Sequence, residues 1–463
     1  MSASGAKNMT QLNATDRRWH ATFVVTSIIA IVWLAGTALF LFDAEDTRFV
    51  APVDGFGVEH NCLTGYVTAA YLATEGTKNV YNPSHYRDAQ FQTPIHKEVL
   101  GTFSVDAYHY PPPFLTLPYV MQKVFGSFFS VRAAWFVLTL VLLLGALVAI
   151  VHWCGAFRSQ ARLLIFPLLL CAPTLHVALQ IGNAHILVIA ISMLAMVAFE
   201  KQRPIAGGAL LGFAVAAKIW PGVLVAYLLL QRKWKPALYC ATAVVIYSLG
   251  ALLLFGVVPY NSFIDYEFPR IASGEAFGFM AVLPRAIMTN MSVFGIPHKL
   301  HALGLISKPA LMVPTLSWIF TGLVGLTVVA IGHRHRQDAD AGDSDRLTKA
   351  QLWLALLTLV QLRSPFLPWP YGIVSTLWLL VLLSASARGW KLGVIFAAWL
   401  YLSINVPPDF ISDTAGFHLI YTLFGSLLMF GSIAAGVRAY WIHNCGNKEH
   451  SDTRVSYAGS EYD

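Results

Sequence analysis

Residues 133–153, AAWFVLTLVLLLGALVAIVHW, contain no Asp, Glu, Lys or Arg. The stretch is long enough to cross a bilayer as a helix, because a span needs about 20 apolar residues and a helix satisfies its backbone hydrogen bonds internally. Four other apolar stretches are also long enough to cross: 21–42, 237–258, 310–331 and 417–441. The repetition predicts an all-α polytopic membrane protein.

The composition agrees with this prediction. Of 463 residues, 56% are hydrophobic and 12% are charged, and the mean hydropathy is +0.60. The charged share is about half that of an average soluble domain. The formal net charge of +7 comes from short clusters at helix ends, which is typical of contact with membrane lipids and argues against a nucleic-acid partner. The five cysteines are widely spaced and are interpreted as packing residues.

Positive charge marks the cytoplasmic side of a membrane protein and therefore predicts the orientation. Arg17 and Arg18 precede the first apolar stretch, which has no small-residue cleavage site after it and is interpreted as a retained helix. The basic clusters put both termini inside. The predicted parts are a cytoplasmic N-terminus (1–19), one transmembrane domain (20–441), outside loops (43–109 and 259–308), an inside loop (333–349) and a cytoplasmic tail (442–463).

One segment complicates the helix count. Residues 110–128 are mostly apolar and near the minimum length for a span. If they crossed, Arg158, Arg162 and every later basic cluster would change sides. A re-entrant or interfacial helix pair is favoured, and the alternative is a true span with one later hairpin that fails to cross.

The middle of the chain predicts a cavity. Four predicted helices, 163–179, 185–199, 205–217 and 221–230, are short for full spans, and polar residues lie between them: Gln180, Asn183, His185 and Lys218. Breaks at membrane depth are tolerated where they line protein or water-filled space. The cavity is expected to face the two outside loops.

Lys218 is the clearest functional candidate. It lies in AAKIWP (216–221), where Pro221 ends the helix, and charge at bilayer depth costs at least about 2.5 kcal/mol. The functional interpretation is a phosphate-binding cation. The alternative is a lysine that reaches the lipid headgroups.

Further candidates for substrate binding surround this cavity. His109 and Tyr110 open the run HYPPPF (109–114), whose rings either line a sugar or lipid groove or anchor the interface. Arg285 and Arg363 either clamp a phosphate or contact anionic headgroups. The polar residues Gln180 and Asn183 complete the predicted binding set.

A general base would have to face the acceptor from the first loop, close to the membrane surface. Asp54 and Glu59 are the predicted catalytic residues, and Asp106 is a third possibility; most such loop acids are merely solvated. The sequence has no H-E-x-x-H, paired-cysteine or Asp-rich motif, so neither a metal nor another cofactor is expected.

The ordered motifs resemble glycosyltransferase family 87, whose members include polyprenol-phosphate-mannose-dependent α-mannosyltransferases of the GT-C fold. The motifs that carry the resemblance are Ala69-Ala70 with Gly76, YNPSH (81–85), YHYPPPF (108–114), IGN (181–183), and PIAGGALLG (204–212) followed by Lys218. They cover residues 54–305 best. The resemblance implies a GT-C-like bundle of about 11–13 transmembrane helices, with interfacial helices in a large first extracytoplasmic loop.

The resemblance implies sugar transfer on the outer face of a bacterial inner membrane. A polyprenyl-phosphate sugar would be the donor, a lipid or glycan hydroxyl would attack the anomeric carbon with inversion, a loop carboxylate would take the proton, and cations would stabilise the departing phosphate. Two departures stand out. The family's usual Asp, 14 residues before Gly76, is Cys62 here, and the family's late histidines are absent after Ser364-Pro365.

Two other functions remain open. A non-catalytic relative that binds or flips a polyprenyl-linked glycan would suit the missing Asp and His. A secondary transporter would need inverted repeats with discontinuous helices. The sequence shows no convincing internal symmetry, and a transporter would not explain a first outside loop of more than 60 residues. A membrane glycosyltransferase is therefore the preferred prediction.

Overall fold

The computed structural model describes residues 3–458 apart from 44–47, 54–57, 87–99, 102, 156–164, 282, 338–345 and 405–414. The described residues are mainly helical and form no β-strand, although two isolated backbone bridges pair His60 with Ser104 and Asn290 with Pro368. The all-α prediction is confirmed.

Five helices in the described part are long and apolar enough to cross a membrane. Their apolar side chains are largely exposed, as lipid contact requires. The helices that contain these spans are α1 (Ala3–Ala38), α4 (Phe128–Trp153), α10 (Trp234–Phe255), α15 (Pro309–Gln337) and α20 (Ala415–Ala458). The last continues into the predicted cytoplasmic tail, and residues 459–463 lie outside the described part.

Shorter helices fill the space between these five. They are α2 (Leu63–Thr74), α3 (Thr116–Phe125), α5 (Ile165–Leu170), α6 (Pro173–Ile181), α7 (Ala184–Glu200), α8 (Pro204–Ala217), α9 (Gly222–Leu230), α11 (Val258–Ser262), α12 (Phe268–Ser273), α13 (Pro284–Thr289), α14 (Gly295–Ala302), α16 (Arg346–Gln361), α17 (Trp369–Gly372), α18 (Val374–Ser384) and α19 (Trp390–Ser403). Tight 3₁₀ turns cover Leu39–Leu41, Pro83–Tyr86, Pro112–Leu115 and Glu275–Ala281, and Phe263–Glu267 is a π-helical turn.

The segment 110–128 is a 3₁₀ turn followed by the ten-residue helix α3. Ten helical residues extend about 15 Å, half of a hydrocarbon core of about 30 Å. This helix cannot cross alone. Its length fits the interfacial or re-entrant interpretation.

The helix predicted over 163–179 is wrong as one element. The chain instead breaks after α5, and α6 begins at Pro173. Proline lacks a backbone N–H and disfavours helical geometry in the residue before it, and Ala172 is extended. Residues 163 and 164 lie outside the described part.

Helices α6 and α7 meet at an angle of 108°. Gly182 makes the turn with φ of +71°, and a Cβ there would lie 3.2 Å from the Leu63 side chain. Asn183 then caps α7 by accepting a hydrogen bond from the His185 backbone N–H. The sharp break therefore presents Asn183 and His185 at the start of a buried helix.

The two loops that the charge pattern predicts to lie outside are named the first and second outside loops, and the first closes onto this break through backbone contacts. Cys62 N donates to Ile181 O at 3.0 Å, and Ser104 N donates to Glu59 O at 2.9 Å. Gly65 allows the segment before Tyr108 to lie against α2, because a Cβ there would be only 2.5 Å from Asp106 O. These contacts bring residues far apart in sequence to one side of the bent pair.

A charged group lies at the C-terminal end of α7. Glu200, at the end of α7, accepts from Lys233 and Lys349 at 2.9 Å each. All three belong to segments that the charge pattern predicts to be cytoplasmic. Glu200 therefore lies at the opposite end of α7 from the α6–α7 break.

Candidate active site

A cavity of about 930 Å³ lies where the two outside loops meet the helix breaks. Its wall includes the α6–α7 break, the segment between α8 and α9, the second outside loop and residues 363–371. Six of the predicted binding residues line it: His109, Tyr110, Asn183, Lys218, Arg285 and Arg363. The predicted cavity thus collects candidates from five parts of the chain.

Three other predicted residues are not among those described in the cavity wall. Gln180 is buried but does not line the cavity, since its side chain accepts from Val50 N and donates to Arg48 O. Glu59 is exposed and also lies outside the cavity lining. Asp54 lies outside the described residues. Gln180 therefore holds the first loop rather than facing the cavity.

Lys218 stands at the centre of the polar part of the wall. Helix α8 ends at Ala217, and Lys218 has extended backbone geometry. Its Nζ lies 3.0 Å from His185 Nδ1 and 3.4 Å from Asn183 Oδ1, and 4.8 Å from the centre of the Tyr110 ring. Among the described residues no carboxylate forms an ion pair with it. The ammonium is therefore positioned by neutral groups and can pair with an anion in the cavity.

Aromatic side chains hold these neutral groups in place. His185 stacks on Trp220 with ring centres 5.3 Å apart. Tyr110 shares a 2.6 Å hydrogen bond with the Tyr66 hydroxyl, which also accepts from Ala184 N at 3.2 Å. Because buried hydrogen-bonded rings have few alternative positions, the Lys218 surroundings are fixed before any ligand binds.

A second polar cluster lies on the first-loop side of the cavity and consists of His60, Cys62 and Asp106. His60 Nδ1 is 3.4 Å from Asp106 Oδ1, and His60 Nε2 is 3.5 Å from Cys62 Sγ. All three residues line the cavity. Asp106, which the sequence offered as a third possible base, is thus the first-loop carboxylate described in the wall.

Asn183 joins the two clusters. Its Nδ2 donates to Cys62 Sγ at 3.2 Å, while its Oδ1 accepts from Lys218. Burial, together with the nearby Asp106 carboxylate, raises the pKa of the Cys62 thiol well above its ordinary value. The shift disfavours the thiolate, which is the form that Cys62 would need to act as a base in place of the family's usual Asp.

The second outside loop supplies a buried carboxylate that the sequence reasoning missed. Glu267, with a side chain 0% exposed, lies 2.6 Å from His109 Nδ1 and 3.2 Å from Arg270 Nη1. It sits on the π-helical turn, a feature often found at functional sites. A single Glu in a loop sequence gives no local signal, because its partner His109 is 158 residues away.

The two predicted arginines also line the cavity. Arg363 Nε donates to Thr321 Oγ1 at 2.7 Å, and the guanidinium lies 4.9 Å from the Phe294 ring centre. Arg285 is half-buried in the second loop. Together with Lys218 these residues give the cavity cationic groups on more than one wall.

The profile of glycosyltransferase family 87 matches residues 108–365, more than half of the chain. No curated protein matches the sequence. Two crystal structures of ArnT from Cupriavidus metallidurans are distant neighbours with a TM-score of 0.31 each. The apo structure is 14% identical in sequence, and the match covers 91% of this chain and 77% of the ArnT chain. The structure bound to undecaprenyl phosphate is 16% identical, and the match covers 88% of this chain and 76% of the ArnT chain.

Proposed function

We propose, since this chain belongs to glycosyltransferase family 87, that it moves a hexose, in the first instance mannose, from a polyprenyl-phosphate donor to an extracytoplasmic lipid or glycan acceptor. Family membership supports a multi-pass membrane glycosyltransferase. The donor class, the inversion and the outer-face location are the parts proposed here. The observation that carries them is Lys218, an ammonium without a carboxylate partner in the described wall of a cavity between membrane helices.

The donor phosphate would lie beside Lys218. As the bond from the anomeric carbon to the phosphate oxygen breaks, its electron pair passes to that oxygen and negative charge grows on the phosphate. A fixed cation stabilises this charge more in the transition state than in the bound donor. Arg285 and Arg363 would hold the donor's remaining phosphate oxygens, and the apolar lining would receive the first prenyl units.

The acceptor would approach from the first-loop side. Asp106 is oriented by His60, and its side chain is 32% exposed. Its carboxylate would take the proton of the attacking hydroxyl while the hydroxyl oxygen bonds to the anomeric carbon. Attack opposite the departing phosphate inverts that carbon and needs no covalent intermediate. Asn183 would set the spacing between the base and the cation because it contacts both clusters.

The test of the base is a comparison of carboxylates in a transfer assay. Purified protein is given a labelled polyprenyl-phosphate hexose and an envelope lipid extract as acceptor source, and labelled product is measured for Asp106→Asn, Glu59→Gln and Asp54→Asn. We expect Asp106→Asn to lose at least about 100-fold, the scale of a general base. The exposed second-loop variant Asp265→Asn is the matched control. Full activity of Asp106→Asn would refute its role as base.

A second candidate is a non-catalytic protein that binds or flips a polyprenyl-linked glycan. The observation that favours it is Cys62, at the position where the family usually has Asp. This function predicts donor binding by the wild type without any transfer. The same assay distinguishes the two, because it measures bound and transferred label in one preparation.

A further inference from the structure

The first-loop cluster has the dimensions of a metal site. One ligand atom from each of His60, Cys62 and Asp106 can be chosen so that all three lie within 4.8 Å of one another. The two contacts involve different imidazole nitrogens, Nδ1 with Asp106 Oδ1 at 3.4 Å and Nε2 with Cys62 Sγ at 3.5 Å, and only one nitrogen can bind the ion. Ligand atoms around a tetrahedral zinc with bonds of 2.0 to 2.3 Å lie about 3.3 to 3.7 Å apart, so pairs that are up to 4.8 Å apart here would have to move about 1 Å closer. Small shifts of side chains would suffice to surround an ion.

The types of ligand narrow the choice of metal. Imidazole nitrogen, sulfur and carboxylate oxygen together favour zinc over magnesium or calcium, which prefer oxygen ligands alone. A deprotonated Cys62 and Asp106 would also give the ion two negative ligands, so the occupied site would have no excess charge. A metal site without net charge is easier to bury next to the apolar side chains that line the cavity.

The surroundings are also typical of a metal site. Asn183 Nδ2 donates to Cys62 Sγ, the kind of second-layer hydrogen bond that orients a thiolate ligand. The backbone of each ligand is held by a different neighbour: Cys62 N donates to Ile181 O, Asp106 N donates to Thr64 Oγ1, and His60 forms an isolated backbone bridge with Ser104. The three side chains are thus positioned by different neighbours rather than by one another alone.

We propose that His60, Cys62 and Asp106 bind a zinc ion whose fourth position opens into the cavity and takes an oxygen ligand, either water or the acceptor hydroxyl. Three protein ligands with one open position are the arrangement of catalytic rather than structural zinc sites. All three residues line the cavity, so the open position faces the substrate space. The cluster replaces the family's expected Asp and departs from the metal-free expectation drawn from the sequence.

The catalytic role of the zinc ion rests on the proposed function, but the existence of the zinc site does not. One oxygen of Asp106 would bind the ion, and the other would remain able to accept the proton of the acceptor hydroxyl. The ion would lower the pKa of a coordinated hydroxyl, as it does for bound water. His60 would then be a ligand, not simply the orienting partner of a free carboxylate.

The binding test uses zinc and cobalt with the full-length protein. Protein treated with EDTA is dialysed against Zn²⁺, its bound metal is measured by mass spectrometry, and Co²⁺ is added to a second portion to record absorption. We expect one Zn²⁺ per chain and a sulfur-to-cobalt charge-transfer band. Both should be lost in Cys62→Ser and weakened in His60→Gln. The matched control is Cys171→Ser, whose sulfur contacts Thr26 O and does not line the cavity.

A thermal unfolding scan keeps the test valid if a variant is less stable. Zn²⁺ should raise the melting temperature of the wild type and of Cys171→Ser but not that of folded Cys62→Ser. Wild-type protein that binds no zinc, or Cys62→Ser with an unchanged cobalt spectrum, would overturn the site. Sugar transfer by metal-free protein at the full rate would overturn its role and leave the proposed function standing. Bound zinc without any transfer would support the site and reject the proposed function.

Discussion

At the scale of single residues, the groups that can bind a substrate are the charged side chains that no oppositely charged group of the described protein neutralises. Lys218 faces neutral partners and is available to an anion, whereas Glu267 is enclosed between His109 and Arg270. Sequence reasoning could find Lys218 because a charge in an apolar run is a local signal. It could not find Glu267 or the pairing of His60 with Asp106, because these depend on contacts between distant parts of the chain.

Replacing Lys218 should damage the chemistry more than the binding. We expect Lys218→Gln to lower kcat by about 100- to 1,000-fold, the scale seen when one donor to a developing negative charge is removed. KM for the donor should change less, because Arg285 and Arg363 would still contact it. The control is Lys235→Gln, since Lys235 is exposed and outside the cavity. A large rise in KM with unchanged kcat would indicate simple binding instead.

The two carboxylates around Arg270 should differ sharply in their effect on stability. Glu267→Gln leaves a buried Arg270 without its enclosed partner and should lower the free energy of unfolding by about 3 kcal/mol. Glu275, which is 69% exposed and also pairs with Arg270, should contribute under about 1 kcal/mol when changed to Gln. Thermal unfolding of both variants in detergent measures the difference. Equal losses would show that burial of Glu267 has no special effect.

At the scale of elements, function depends on the breaks between helices. The sequence identified the polar residues at the α6–α7 and α8–α9 breaks because they interrupt apolar runs. It missed the break at Pro173 and assigned Gln180 to the substrate, although Gln180 faces the backbone of residues 48 and 50. Its direction is set by how the first loop packs, which no pattern within the helix reveals.

The turn at Gly182 gives a test of this idea. Gly182→Ala should lower the free energy of unfolding by about 1–3 kcal/mol because of the positive φ. The close approach of the new Cβ to Leu63 should lower it further. Gly76 is the matched control, because its φ is +69° but a Cβ there would meet nothing within 4 Å. We expect Gly182→Ala to reduce transfer as well, since Asn183 moves with the turn. Similar stability and transfer in the two variants would contradict the role of this break.

At the scale of the whole molecule, a charged group and the cavity lie at the two ends of helix α7. Glu200 with Lys233 and Lys349 lies at the end predicted to be cytoplasmic, and the two outside loops cover the cavity. The all-helical class and this order of loops follow from hydropathy and charge, which are properties of segments. The way the two loops pack against each other depends on contacts between distant segments, which hydropathy and charge do not reveal.

The orientation can be tested by cysteine labelling in intact bacterial cells. In a background with Cys62 and Cys445 changed to serine, Asp265→Cys should react with an impermeant maleimide, because Asp265 is exposed in the second outside loop. Lys235→Cys should react only after the cells are opened. The reverse result would place the cavity on the cytoplasmic side.

The most direct test of the central claim compares binding and transfer in the same sample. Purified wild type and a Lys218→Gln/Asp106→Asn double variant are each mixed with a labelled polyprenyl-phosphate hexose and acceptor extract, and bound donor and labelled product are both measured. We predict that the wild type binds and transfers the sugar, with inversion at the anomeric carbon, while the double variant retains donor binding and forms no product. Donor binding by the wild type without transfer in any acceptor extract would contradict the claim that this cavity is a glycosyltransferase active site.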